Sequence, residues 1–598
     1  MDNHFTEKYE SNLTQKVIDL MPSIGLFCLA IPLAYLMNHI SNIHDYHPER
    51  SVFVFSKIFL VIMLIPPVCY IIYKRRAANP ADLGLTVIAT VGTLLVSVYL
   101  YWVSFYIYFP ADILLWTESD FVNDILKLRI GYPIYSMQQN NESFVYTPGS
   151  QILTYLIASL FGKGTSIPAL RMIQLGYIFL SSIIAVFSCR IIVEMNMPKQ
   201  LFHDRRLWYV VWLPIFFLIS SNSITNDYVH FLHNDALALL ISALAYWLLL
   251  KYVSTHDKSL LIMMSVIPAV GFFVKQSLAI WAPIYCAYLI LFDRPLSIRR
   301  VFIFAAASAG GICGVVVCSY LVWGDHFIYW IFTAMGHDPI SPIRSFQHIM
   351  DAWAYFATGM LGGFMIIRGR PFNILVGVWL VWLFLIVLEG LTSGIGWMKN
   401  HMGPGSLIAG VWFLAGLVRL WQSVFTEEAA GSQMQAWLRA GILVTSICLL
   451  FGGLGFIRVP VKHLSDDSYR YIKDIEREFE GEATSDILLD AGTWIYLKEG
   501  VLMKDRSIPF GNRGYNGTGD FSGMIRRLND KTYSKILVRD LESPIFQYDH
   551  WLWPQSSGIK KTLLENYYVD RTIRRVEEKK HQQVPYFFFD EISILLPK

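Results

Sequence analysis

The sequence predicts an all-α polytopic membrane domain of about 13 transmembrane helices, followed by a soluble C-terminal α/β domain. Three observations carry this reading. Apolar runs long enough to cross a bilayer recur through most of the chain. Only 16% of the residues are charged, against roughly 25% in an ordinary soluble domain. After Arg458 the composition changes abruptly, with 22 Lys+Arg and 22 Asp+Glu in the last 141 of the 598 residues.

Apolar runs of about 17 to 25 residues lie near 20–38, 52–73, 84–109, 168–192, 207–224, 234–252, 259–275, 277–292, 301–323, 350–367, 373–390, 404–421 and 437–457. The first run follows a polar stretch with Glu7, Lys8, Glu10 and Lys16, and no small-residue cleavage pattern comes after it, so it is expected to stay as an anchor. All seven cysteines fall in apolar runs, which excludes a disulfide framework and a cysteine metal site as organising devices. A net charge of +3 gives no nucleic-acid signal.

Orientation follows from the basic residues. With the N-terminus inside, 17 Lys and Arg fall in inside connections, among them Lys74-Arg75-Arg76 and Lys199 with Arg205-Arg206, against 7 in the outside connections that precede the tail. The positive-inside rule favours this arrangement. The expected location is therefore a cell (inner) membrane, with a cytoplasmic N-terminus and a periplasmic C-terminal domain. Three regions result: 1–82, a cytoplasmic tail and two helices; 83–457, the membrane domain with a large outer loop over 110–167; and 458–598, the α/β domain. In the last region Asp466–Glu480, Phe521–Leu528 and Lys560–Tyr567 have helical spacing, while Ile487–Asp490 and Lys535–Arg539 read as short buried strands.

The chemistry is expected in the outer loop. In the stretch from Trp116 to Leu128, the carboxylates Glu118, Asp120 and Asp124 stand where an apolar helix ends. Phe121, Ile125 and Leu128 then recur at helical spacing, as in an amphipathic helix lying in the membrane interface. Asp120 or Ser119 could cap that helix. Alternatively Glu118 and Asp120 face a cleft, where apolar neighbours raise the basicity of a carboxylate fit for general-base work.

The helix is followed by the turn Gly131-Tyr132-Pro133-Ile134-Tyr135 and then by Tyr146-Thr147-Pro148. Further on come His233-Asn234-Asp235 at the start of an apolar run and Phe273-Val274-Lys275-Gln276-Ser277 between two runs. Together these resemble the first outer loop, the later Asn-Asp helix start and the basic turn of the GT-C superfamily of integral-membrane glycosyltransferases. The resemblance covers about Leu83 to Ile457, with two additional spans before it.

That resemblance implies a fold, a donor and a set of roles. The donor would be a polyprenyl-phosphate-linked sugar, and the acceptor a hydroxyl of a glycan, lipid or protein in the cell envelope. Glu118 or Asp120 would be the catalytic carboxylate, and Lys275 the cation for the donor phosphate. Tyr146, Asn234, Asp235, His337 and His401 would contribute to substrate binding. No metal site is assigned; His337, Asp338 and His401 match no ligand template, and a divalent cation is left open. Lys275 also fits a snorkelling anchor, Asp235 a helix-start carboxylate and His401 a plain loop residue. A multi-pass transporter or flippase is the alternative reading, and a scaffold presenting the C-terminal domain a third.

Overall fold

The computed structural model describes residues 106–114, 118–136, 145–196, 205–223, 231–334, 341–367, 374–392, 399–425, 466–490, 492–505, 521–539, 541, 558–574 and 591–598, with isolated positions from 92 to 103. The expected spans 20–38, 52–73 and 437–457, most of 84–109, and His337 with Asp338 lie outside the described residues.

The first described helices belong to the outer loop: α1 (Glu118–Ile130) and α2 (Gly149–Leu160). The apolar helices follow as α3 (Ile167–Asn196), α4 (Arg205–Ser223), α5 (Asp235–Thr255), α6 (Ser259–Val274), α7 (Trp281–Leu291) and α8 (Ile298–Trp323). Then come α9 (Pro342–Asp351), α10 (Trp353–Ile367), α11 (Ile374–Thr392) and α12 (Gly403–Phe425). Among the described residues five helices are long and apolar enough to cross a membrane, and the chain is an integral membrane protein. In lipid the helix is the form that satisfies each backbone group within its own segment, so runs this apolar have no open-stranded alternative.

Burial separates central from peripheral helices. Of the window Asn400–Arg419, 89% is buried, against 11% of the α8 window. Helix α12 is therefore the axis of the bundle, and α8 presents Phe302, Ile303, Val317 and Leu321 outward to lipid. Helix α10 packs on α12 through glycines: a Cβ on Gly416 would stand 2.7 Å from the Gly362 Cα. Small residues permit this close helix approach.

The C-terminal unit holds a four-stranded sheet in the order β1-β2-β4-β3. Its strands are β1 (Ile487–Leu489), β2 (Lys535–Arg539), β3 (Tyr567–Arg574) and β4 (Glu591–Pro597). Strands β1 and β2 are parallel, and β4 runs antiparallel to both β2 and β3. Its helices are α13 (Asp466–Arg477), α14 (Trp494–Glu499), α15 (Ser522–Asn529) and α16 (Ile559–Asn566). The core of this unit is not separate. Tyr471, Ile475, Trp494 and Leu497 join one apolar cluster with Phe109, Ile113 and Phe121 of the outer loop.

Two expectations are corrected here. Helix α1 does not lie half-exposed in the interface. Asp124 and Lys127 on its polar side are as fully buried as Phe121 and Ile125, because α2 and α14 cover it. The run 350–367 forms one helix that starts three residues late, at Trp353, because the separate amphipathic α9 ends at Asp351 with Ala352 between them. Strands β3 and β4 and helix α14 were not anticipated from the pattern.

Candidate active site

Several helix ends meet at one boundary of the bundle. Asp235 opens α5, Lys275 follows the last residue of α6, Thr392 closes α11, and Asn400 lies in the 3₁₀ turn (Lys399–Met402) that leads into α12. Between them is a small cleft bordered by Asp235, Lys275, Ser277, Glu389, Asn400 and His401. Polar residues are tolerated at this depth only where protein or a water-filled cavity surrounds them.

Lys275 is the centre of the arrangement. Its backbone is extended, between α6 and the 3₁₀ turn Gln276–Ile280. Three side chains fix that bend: Asn234 Nδ2 donates to the Val274 carbonyl (2.8 Å), Thr147 Oγ1 to the Phe272 carbonyl (2.6 Å), and Gln276 Nε2 to the Val145 carbonyl (2.8 Å). The ammonium donates to Asp235 Oδ1 at 2.6 Å and stands 5.1 Å from the centre of the Tyr146 ring. Asp235 Oδ2 in turn accepts from Asn400 Nδ2 at 2.6 Å and lies 2.5 Å from His233 Nδ1. The His233 ring meets Tyr146 edge-on at 5.4 Å.

Five of the expected site residues thus share one neighbourhood: Lys275, Asp235, Asn234, Tyr146 and His401. Lys275, which has no acid near it in sequence, finds one 40 residues away. Asn400 and Glu389 join them. The Glu389 carboxylate accepts the Gly405 N–H. A single acid in the apolar run of α11 was the available signal for Glu389; nothing local marked Asn400.

The two carboxylates of α1 diverge. Glu118 is fully buried, and both its oxygens are held by Arg171, from Nε at 2.8 Å and Nη2 at 2.8 Å. Oε1 also accepts the Leu232 N–H at 3.0 Å. Arg171 completes its fork on the carbonyls of Tyr106, Phe109 and Ala111. Asp120 is 6% exposed and lies within the first turn, since α1 begins at Glu118; it is not the cap. Asp124, one turn on and on the same face, accepts from Gln151 Nε2 at 3.3 Å. Gln151 Oε1 accepts from Asn234 Nδ2 at 3.4 Å. The acidic face of α1 is therefore tied by two side chains to the bend that carries Lys275.

Asp112, ahead of α1, reaches the C-terminal unit. Both its oxygens accept the Thr493 N–H at 3.0 Å, and Oδ1 accepts the Trp494 N–H at 2.9 Å. Burial pushes its carboxyl up to about 6, the Thr493 N–H works against that rise, and nearby Glu118 adds to it. No group of three or more His, Cys, Asp or Glu able to hold a metal occurs among the described residues.

A bundle of apolar helices whose ends at one boundary enclose a polar cleft, capped by a loop of buried helices and a small sheet, defines an integral-membrane fold class. Among solved structures the fold is similar to that of ArnT from Cupriavidus metallidurans in the apo state, with a TM-score of 0.50 at 10% identity, over 84% of this chain and 97% of that one. ArnT bound to undecaprenyl phosphate aligns with a TM-score of 0.49 at 11% identity, covering 84% and 97%. The apo oligosaccharyltransferase of Archaeoglobus fulgidus gives 0.48 at 10% identity, covering 82% and 74%. No family model matches the chain, and no curated protein matches it.

Proposed function

We propose that the chain is a glycosyltransferase that moves a hexosyl or pentosyl group from a polyprenyl-phosphate donor to an acceptor hydroxyl at the outer face of the membrane. The observation that carries this is the Lys275 ammonium, held by Asp235 and Tyr146 beside an open cleft where apolar helices end. A polyprenyl phosphate keeps its chain in lipid and its charge at the boundary, which is where this cation stands. An ammonium has three N–H donors and Asp235 takes one, so a phosphate oxygen can be received as well. ArnT, whose fold the chain resembles, has been crystallised with undecaprenyl phosphate.

A carboxylate takes the proton of the acceptor hydroxyl, the oxygen bonds to the anomeric carbon, and the bond from that carbon to the phosphate oxygen breaks. Its electron pair leaves on the polyprenyl phosphate, where Lys275 offsets the growing charge. Asp120 is our choice of base. The Glu118 carboxylate is fully buried, with both oxygens taken up by the Arg171 guanidinium and Oε1 also by the Leu232 N–H, and deprotonating an acceptor typically contributes about 10²–10⁴-fold. Asp235 and His401 line the cleft, and Asn234 and Tyr146 hold Lys275 beside it.

Among the described residues, the charged side chains of the apolar helices stand toward helix ends, as Asp235, Lys275 and Glu389 do. A mid-bilayer relay of a transporter would place them centrally. The acceptor class, a glycan, lipid or protein of the cell envelope, and the N-terminus-inside orientation belong to the same proposal. Purified full-length chain should transfer sugar from a polyprenyl-phosphate sugar to a hydroxyl acceptor; absence of turnover across hydroxyl acceptors of all three classes would reject the reading. For orientation, a cysteine placed at the exposed Ser522 should react with an impermeant maleimide in intact cells stripped of outer barriers.

A further inference from the structure

We infer that Asp112 and Thr493 are positioning residues: through them the C-terminal unit holds helix α1, and with it the Asp120 carboxylate, from outside the membrane bundle. The inference rests on the functional reading for the role of Asp120, but its structural half stands on contacts alone. The short helix α14 lies along α1 and touches it at both ends. At one end Thr493 Oγ1 donates to the Ser119 carbonyl at 3.1 Å, the residue before Asp120. At the other, Arg129 Nη1 donates to the Leu497 carbonyl.

Asp112 closes the frame. It stands six residues before α1 and accepts the two consecutive N–H groups that begin α14. It is fully buried, so these N–H groups and the carboxylate have no water to turn to if the contact is lost. Trp494 is fixed from behind by its indole N–H on Glu476 at 3.2 Å, and the Tyr469 ring meets Phe109 edge-on at 5.4 Å. One carboxylate ahead of α1 and one threonine of the sheet unit thus tie Asp112 and Ser119 to the start of α14. A separately folded appendage would not share a core with α1, as this unit does.

A shift of a general base by about 1 Å is enough to lower turnover while leaving donor contacts intact. The variants are Asp112→Ala, Thr493→Val and Asp112→Asn; the last keeps an oxygen acceptor for the α14 N–H groups. In the full-length protein, hydrogen exchange over 119–129 should accelerate at least tenfold in Asp112→Ala and Thr493→Val and stay within about threefold in Asp112→Asn. Turnover should fall at least tenfold in the first two, with the KM for polyprenyl-phosphate sugar unchanged, and be rescued in Asp112→Asn. Unchanged exchange in both disruptive variants overturns the inference, as does a donor KM that worsens in step with turnover, since that is general damage. If the wild-type chain transfers no sugar, the functional reading falls, and the exchange experiment alone decides whether these contacts hold α1.

Discussion

Lys275 Nζ and Asp235 Oδ1 stand 2.6 Å apart with both side chains almost fully buried, joining the end of one apolar helix to the start of another. A buried pair of this kind is expensive to break on one side. Removing one partner strands a charge, at a cost of about 3–5 kcal/mol. Asp235→Asn should therefore lower the apparent Tm in detergent clearly, and the double variant Lys275→Met with Asp235→Asn should recover part of the loss. Equal stability of Asp235→Asn and wild type would contradict the pairing.

Glu118 and Asp120 should separate cleanly. Glu118→Gln leaves Arg171 buried without its carboxylate, so its main effect is a lower Tm, again by about 3–5 kcal/mol of stability. Asp120→Asn should keep the fold and lose about 10²–10⁴-fold in turnover. Turnover and melting measured on the same preparations check this. A fully active Asp120→Asn would move the base elsewhere.

The Asp112 carboxyl gives a pH dependence with a definite sign. Its folded-state value is raised, from 3.8 to about 6, so the fold favours the protonated form. That contribution is present below about pH 4 and lost as pH rises through about 6, roughly 3 kcal/mol in all. Asp112→Asn does not titrate. The Tm difference, Asp112→Asn minus wild type, should rise between pH 4.5 and 7, with Glu118 and its partner Arg171 the charged groups nearby. A difference that stays flat would contradict the shift.

Gly149 opens α2 against the bend before Lys275. A Cβ there would meet the Phe273 carbonyl oxygen at 2.6 Å. Gly149→Ala must push α2 or the bend aside, a strain of typically about 1–3 kcal/mol, and should weaken donor binding as well as lower Tm. A variant indistinguishable from wild type in both would show that the approach is not tight.

Except for the amphipathic α9, the apolar runs located the helices from α3 to α12 closely, because spanning length and continuous hydrophobicity have few other outcomes. The strands at 487–489 and 535–539 were readable for a similar reason: each is a short buried apolar run. Strand β3 was not, since its side chains from Tyr568 to Asp570 are exposed and carry no alternation. Of the site, Lys275, Asp235 and Asn234 announced themselves as polar residues at helix ends. The partners Arg171, Asn400, Gln151 and Thr493 did not, because each acts across 27 to 381 residues of chain. The same distance hid the ion pair between Glu118 and Arg171.

The proposed donor site turns on Lys275 receiving the phosphate, and the affinity of purified full-length protein for a polyprenyl phosphate measures that directly. Lys275→Met should weaken binding at least tenfold, about 1.4 kcal/mol, and should do so in the Asp235→Asn background too, where the lysine substitution leaves no buried carboxylate unpaired. Lys275→Arg should bind with intermediate affinity, since a guanidinium still offers charge but in a different geometry. If Lys275→Met binds polyprenyl phosphate as tightly as wild type in both backgrounds, the cation is structural and the proposed donor site is wrong.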